Sequence, residues 1–415
     1  MDEATRAASP PATFWRRRLG VLAQRNFGLF WFGLVLSNTG TWMQLTAQGW
    51  LVYELSDSAL TLGALGGVRA LPMIVLPFFG GVVADRMDRR RLLFITQSGA
   101  ALTALVLAFL TVTGAIEVWQ ILLLGFLASV SLAFDQPARQ ALIPSLVPRA
   151  DLRKAIALHS VVFTGGAFLG PAITGLLAPA IGIGGVFLIN AASYAFILIA
   201  LGLLRVAPYR PPAPQSVWSS TVEGFRYITR HELILVVIGL SAMASLFARS
   251  YQQLTPVFAR DILSVDITGL GWLMSAPGLG ALSGAFIVAT VGRLPRNGVL
   301  AGAALSGYLA TLTVFALSQS FVLSVVVLVA VGLFNTVFSA SVRTMLQMAT
   351  PQAFHGRVMS LNTITFIGFS PLGTLFLGAL AEPLGVSLAV VLGVIVVALV
   401  FGYVWATRGV LRRAE

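Results

Sequence analysis

Asp135 and Arg139 stand four residues apart in the run F-D-Q-P-A-R-Q at 134–140, a spacing that places both on one face of a helix. A carboxylate beside a guanidinium can act as a fixed counter-ion, for Arg139 or for an arginine of the cluster at 86–91. It can also bind and release a proton and so couple proton movement to a change of shape. No other acid lies so deep in an apolar stretch, because Glu54 and Glu232 fall at the ends of theirs. Arg69 lies about ten residues into another such stretch, roughly 15 Å along a helix. An unpaired charge there is costly, so Arg69 is expected to face a wet cavity or an acid, as an anion-binding group or as half of a structural pair. Arg249 is a weaker case of the same kind. Ser37, Thr41, Gln44 and Gln48 follow an i, i+4, i+7, i+11 stripe with Asn38 and Trp42 beside it; such residues line a polar path or pack one helix on another. Ser245 and Gln252 extend this candidate cavity from a second stretch.

Other chemistries find less support. His159, His231 and His355 each sit near the end of an apolar run without an evident partner, so a paired acid and base for catalysis is not assembled. Cysteine is absent, and three scattered histidines give no metal site. A G-x-x-x-x-G-K-[ST] loop is missing, which removes an ATP-driven pump. The chain is therefore read as not an enzyme, with a membrane-integral enzyme as the least favoured alternative and no cofactor expected.

The elements that position these residues follow from composition. Of 415 residues, 57% are hydrophobic and 10% charged, against about 25% charged in soluble domains. A bilayer is the expected solvent, and helices are required because lipid cannot satisfy an open strand. Runs long enough to span, about 20 residues, fall near 27–53, 59–84, 92–113, 118–140, 152–179 and 184–204, then near 233–258, 268–291, 298–317, 321–348, 358–380 and 386–406. Alternating the gaps with both termini inside leaves Arg69, Arg139, Arg249 and Arg343 within spans and only Arg260 outside; the remaining 22 of 27 Lys and Arg lie in cytoplasmic segments, as the positive-inside rule demands. The net charge of +12 thus reports topology rather than nucleic acid. Residues 1–24 are polar and Arg-rich without an apolar core, so no cleaved signal peptide is expected there.

The fold expected is all-α and integral to the membrane: twelve transmembrane helices in two pseudo-symmetric six-helix bundles with N- and C-termini cytoplasmic. Residues 1–206 form the N-terminal bundle and its tail, 207–231 a cytoplasmic linker with an interfacial helix, and 232–415 the C-terminal bundle. The linker begins Pro-rich and then places Trp218, Val222, Phe225 and Ile228 at helical spacing. At an offset of 204 residues, Ser37 matches Ser241, Gln48 matches Gln252, and Arg139 matches its second-half counterpart Arg343. Repeated halves with a polar path between them are a transporter architecture.

The stretch G-V-V-A-D-R-M-D-R-R-R at 81–91 now falls in the gap between the second and third spans. It resembles the signature loop of the major facilitator superfamily, matched by Gly81, Asp85, Arg86, Arg89 and Arg90, with Asp88 where that family prefers glycine. In the fifth span, Gly166, Gly170, Pro171 and Gly175 resemble the element that accompanies exporters in the superfamily, with Thr174 replacing one glycine. The segments G-T-W-M-Q and D-Q-P-A-R-Q-A-L-I-P-S-L-V-P-R-A-D-L are similar to the subgroup of enterobactin exporters and macrolide efflux pumps. The resemblance implies a secondary active, alternating-access exporter of the bacterial cytoplasmic membrane. Its cargo would be a small amphipathic molecule, siderophore or drug-like, exchanged against a proton gradient by a monomer whose partners are that small-molecule substrate and the lipid bilayer. A lipid or lysophospholipid flippase is the alternative. The resemblance also implies a latch in which Asp85 faces the start of the eleventh helix; Asp85→Asn is then expected to shift the resting population away from the outward-open state, as read by labelling from the two sides.

Overall fold

The computed structural model describes residues 20–76, 87–205, 226–291, 297–352, 354–407 and 409. Gly81, Asp85 and Arg86 of the signature loop lie outside the described residues, as do Trp218, Val222 and Phe225 of the linker and the 292–296 segment. No strand occurs among the described residues. A 3-10 turn (Gly20–Ala23) leads into α1 (Arg25–Ser56), followed by α2 (Ala59–Val75), α3 (Arg89–Val112) and α4 (Val118–Leu146). Leu152–Leu203 is two helices joined at Gly182, here α5 (152–181) and α6 (183–203). The second half comprises α7 (Glu232–Ile262), α8 (Ile267–Val291), α9 (Asn297–Leu317), α10 (Phe321–Ala349), α11 (His355–Leu384) and α12 (Val386–Thr407). Among the described residues, nine helical stretches are long and apolar enough to cross a membrane, with α5 and α6 in one of them. α1 falls short of that apolarity because its polar stripe dilutes it, and α2 has only 17 described helical residues.

Local chemistry sets several boundaries. Asp88 ends the loop with φ −58° and accepts the Arg91 amide at 2.9 Å, so it caps α3. A carboxylate at this position satisfies an otherwise orphaned helix N–H, and the backbone there needs no glycine. Ser58 caps α2, and Glu117 with Gln120 forms a capping box at α4. Gly182 breaks the long helix with φ 71°, a conformation that a Cβ disfavours. α4 runs on beyond Gln140 to Leu146, through Pro144, because Leu142, Ile143 and Leu146 stay buried. Asp135 and Arg139 therefore sit inside α4 rather than at its end.

α1 packs along α5 and α6, α8 along α10, and α9 along α10. The halves meet where α2 lies on α11 and α5 on α8. Apolar burial is distributed unevenly between the two ends. Around the α1–α2 connection, Met43, Leu51, Leu62 and Phe187 belong to one core that continues into the second half through Tyr251, Phe258 and Phe315. At the other end, Phe27, Phe30, Leu93, Leu142 and Ile197 form a separate core confined to the first half. The described end of the linker helix docks on the second bundle: Ile228 is buried, and Tyr227 stacks on Phe354 with ring centres 4.3 Å apart.

Candidate functional site

Asp135 is 2% exposed and Arg139 6%. They form an ion pair within α4 through Oδ2 and Nε. The opposite carboxylate oxygen, Oδ1, accepts Thr96 Oγ1 at 3.2 Å and Gln97 Nε2 at 2.5 Å from α3. An ionised carboxylate buried this way is held by one cation and two neutral donors, which offsets its desolvation. The structure thus brings Asp135 and Arg139 together and adds Thr96 and Gln97, which the sequence reading did not single out. Their signal was present as two adjacent polar residues inside the apolar run of α3. Arg343, matched to Arg139 by the repeat, is exposed on α10, and the position matching Asp135 is Ser339. The charge network exists in one half only among the described residues.

The stripe on α1 is divided among several neighbours. Asn38 Nδ2 donates to Val162 O of α5 at 2.9 Å. Thr41 Oγ1 lies 3.0 Å from the Tyr194 hydroxyl, and Gln44 Oε1 accepts Asn190 Nδ2 at 2.6 Å, both on α6. Gln48 is fully buried; its Nε2 donates to Ile121 O of α4 at 3.1 Å, and its Oε1 accepts Arg69 Nη2 from α2. Arg69 is therefore held by a neutral amide, and no carboxylate among the described residues is ion-paired with it. A half-buried cation with its charge uncompensated by an acid is a place where an anionic group can bind. Trp42 lies against Gly166 and Gly170 of α5.

In α7, π-helical turns at Ala244–Ala248 and Phe258–Ile262 flank the segment that carries Arg249 and Gln252. Such turns often mark functional positions. Ser245 is buried, Arg249 and Gln252 are half-buried, and Arg249 lies within electrostatic range of Tyr251 and Tyr308. Ser250 donates to Ser370 O of α11 at 2.7 Å.

The glycines of α5 serve two contacts. A Cβ at Gly166 or Gly170 would run into Asn38 and Trp42 of α1, and one at Gly175 would lie 2.9 Å from Thr268 O of α8. Across that contact, a Cβ at Gly271 would lie 2.6 Å from Pro171 O. The α2–α11 contact repeats the device: a Cβ at Gly63 of α2 would lie 2.8 Å from Thr374 O of α11, and Gly66 faces Pro371 O. Thr174 Oγ1 bonds Gly170 O at 3.0 Å and reaches Met43 O of α1, as Thr374 Oγ1 bonds Ser370 O at 3.0 Å and reaches Ser250 O of α7. The pairs Pro171/Pro371 and Thr174/Thr374 are 200 residues apart, not 204, which hid this correspondence in the chain.

Polar ties between the halves gather at the α1–α2 end. Tyr53 OH donates to Asp261 Oδ2, Arg260 pairs with Asp57 at 3.1 Å, and Ser58 Oγ and Leu60 N donate to Glu382 Oε1 at 2.6 and 3.1 Å. Arg260, the basic residue that the topology left outside, is thus a clasp residue.

This geometry agrees with the comparisons. Residues 17–414 match the family model described as transmembrane secretion effector. The multidrug efflux pump Tap of Mycolicibacterium fortuitum is 26% identical over 86% of this chain and 89% of that one. The enterobactin exporter of Shigella boydii is 28% identical over 81% and 78%, and the staphyloferrin A transporter of Staphylococcus aureus 25% identical over 84% and 87%. Among solved structures, a bacterial homologue of the human lysosomal transporter Spinster, inward-facing and unoccupied, superposes with a TM-score of 0.74 at 15% identity, covering 98% of this chain and 99% of that one. A single-substitution mutant of the nucleoside transporter NupG gives 0.74 at 14% identity, covering 93% and 99%. Matched over nearly its whole length, the chain belongs to the transmembrane secretion effector family, transporters of the major facilitator superfamily rather than enzymes.

Proposed function

We propose that this transporter is a proton-coupled exporter of the bacterial cytoplasmic membrane, with twelve spans and both termini cytoplasmic. Its cargo is a small amphipathic molecule of the siderophore or drug-like class. The observation that carries the reading is the buried Asp135–Arg139 pair braced by Thr96 and Gln97, a titratable carboxylate inside a bundle whose partner half lacks it. The names of the relatives support the cargo class and the outward direction.

In this reading the structure corresponds to the inward-open state, because the halves share a core and polar ties at the α1–α2 end, whereas at the other end the first half keeps a core of its own. Substrate enters from the cytoplasmic side and meets the α1 and α7 faces, with Arg69 beside Gln48 as an anchor for an anionic group. Rocking about the α2–α11 and α5–α8 contacts breaks the outer clasp. A proton arriving from outside neutralises Asp135 and weakens its hold on Arg139. Return to the inward-open state releases it.

Proteoliposomes test the coupling. An imposed pH gradient is expected to drive uptake of a catecholate siderophore or an amphipathic drug into inverted vesicles, and Asp135→Asn to abolish that drive while leaving downhill exchange. Loss of exchange and driven transport together would make Asp135 purely structural.

A further inference from the structure

We propose that the cleft between α1 and α6 holds one anionic phospholipid, outside the transport path. The cleft is an open groove offering about 560 Å³, within the ~300–1,000 Å³ usual for small-ligand sites. Phe32 and Leu36 of α1 form one wall, and Phe196, Ile199 and Leu203 of α6 form the other. These are outward-facing side chains, with Phe32 58% and Ile199 60% exposed. In a membrane-spanning bundle such surface meets acyl chains, and the depression between the walls admits a chain lengthwise. Gly33 and Ala200 make its floor, where α1 approaches α6 so closely that a Cβ at Gly33 would lie 3.0 Å from Ile197 Cα.

One mouth of the cleft is basic. Arg25 lines it directly and is exposed. The backbone of Arg205 is pinned to Asn26 by two bonds of 2.8 and 3.2 Å, which brings its position beside the start of α1. Arg90 of α3 reaches the same corner, donating to Gly202 O at 2.6 Å and Leu204 O at 3.0 Å. Among the described residues, the nearby acids are already engaged: Asp151 accepts Gln24 and pairs with Lys154 at 2.8 Å, and Asp88 caps α3. An apolar slot with Arg25 at its mouth, and with Arg90 and the backbone of Arg205 at the adjacent corner, matches an acyl chain joined to a negative headgroup. Neither a zwitterionic lipid nor a soluble anion satisfies both parts. The assignment holds whichever way the transporter works, since it needs only that this end meets a membrane–water boundary.

Native mass spectrometry of the purified protein, titrated with phosphatidylglycerol or phosphatidylcholine, provides the test, with size-exclusion profiles confirming that each variant is folded. One phosphatidylglycerol is expected to bind saturably and in clear preference to phosphatidylcholine. Arg25→Gln should weaken it about fivefold, and Ile199→Trp, which crowds the wall, should lower its occupancy. Arg153→Gln, an exposed charge at the same end that does not line the cleft, should change nothing. Equal affinity for the two lipids, equal weakening by Arg153→Gln and Arg25→Gln, or indifference to Ile199→Trp would overturn the site.

Discussion

Asp135 and Arg139 illustrate why a buried pair is expensive to edit. Removing the carboxylate leaves a buried guanidinium without its counter-ion, a change that costs about 3–5 kcal/mol in comparable pairs. Asp135→Asn is thus expected to lower the thermal midpoint of the purified protein, and the double variant Asp135→Asn/Arg139→Gln to recover most of it while staying uncoupled from the pH gradient. Recovery of coupling in the double variant would remove the pair from the proton path. Arg69 is a different case, since Gln48 Oε1 holds its geometry without cancelling its charge. Arg69→Gln should reduce transport of anionic substrates about ten- to a hundredfold more than that of neutral ones, by roughly the 1.5–3 kcal/mol of a charge-assisted bond. Equal losses for both substrate classes, compared side by side in vesicles, would return Arg69 to a packing role. The types and spacing of these residues were legible in the chain; the pairing of Thr96 and Gln97 with Asp135 was not, because they come from α3 and meet it only through helix packing.

At the level of helices, close approach at two related contacts holds the halves together. Gly271 lies so near Pro171 O and Gly175 Cα that any side chain must push α8 off α5. Gly271→Ala is expected to destabilise by about 1–3 kcal/mol, as overpacking does, and to slow transport. Gly165→Ala on α5, where a Cβ meets nothing within 4 Å, should be neutral. If calorimetry finds the two variants alike, tight α5–α8 packing is not required. The described helices followed closely from the apolar runs, including the break near Gly182. Their ends did so less well, since α3 begins earlier because Asp88 caps it and α4 persists to Leu146 because its last turns are buried.

For the whole molecule, the ties at the α1–α2 end are few and mostly exposed. An exposed ion pair contributes about 0–1 kcal/mol, which suits a closure that the proposed export cycle opens. Arg260→Gln removes the pairing to Asp57 and the contact with Tyr53. It is expected to move the population toward the state open at that end by up to about fivefold. The chain has no native cysteine, so spin labels on cysteines introduced near Ser56 and Ile262 report the separation of the two bundles directly. An unchanged distance distribution would show that the shared apolar core, not the clasp, closes this end.

By itself the sequence determined that the chain lives in a membrane as bundled helices, because hydrophobicity and the placing of Arg between apolar runs are properties of each segment alone. It also determined the family, through a loop and a helix whose residues lie close together in the chain. Only the tertiary structure decided which polar residues share a site, as with Gln48 and Arg69 or Asp135 and Gln97, and that Pro171 and Pro371 play matching roles at an offset the α1 and α7 residues do not share. It alone decided that Arg260 ties the halves together. Those partners are joined by packing between helices distant in the chain, and no periodicity within one helix records which face its neighbour will present.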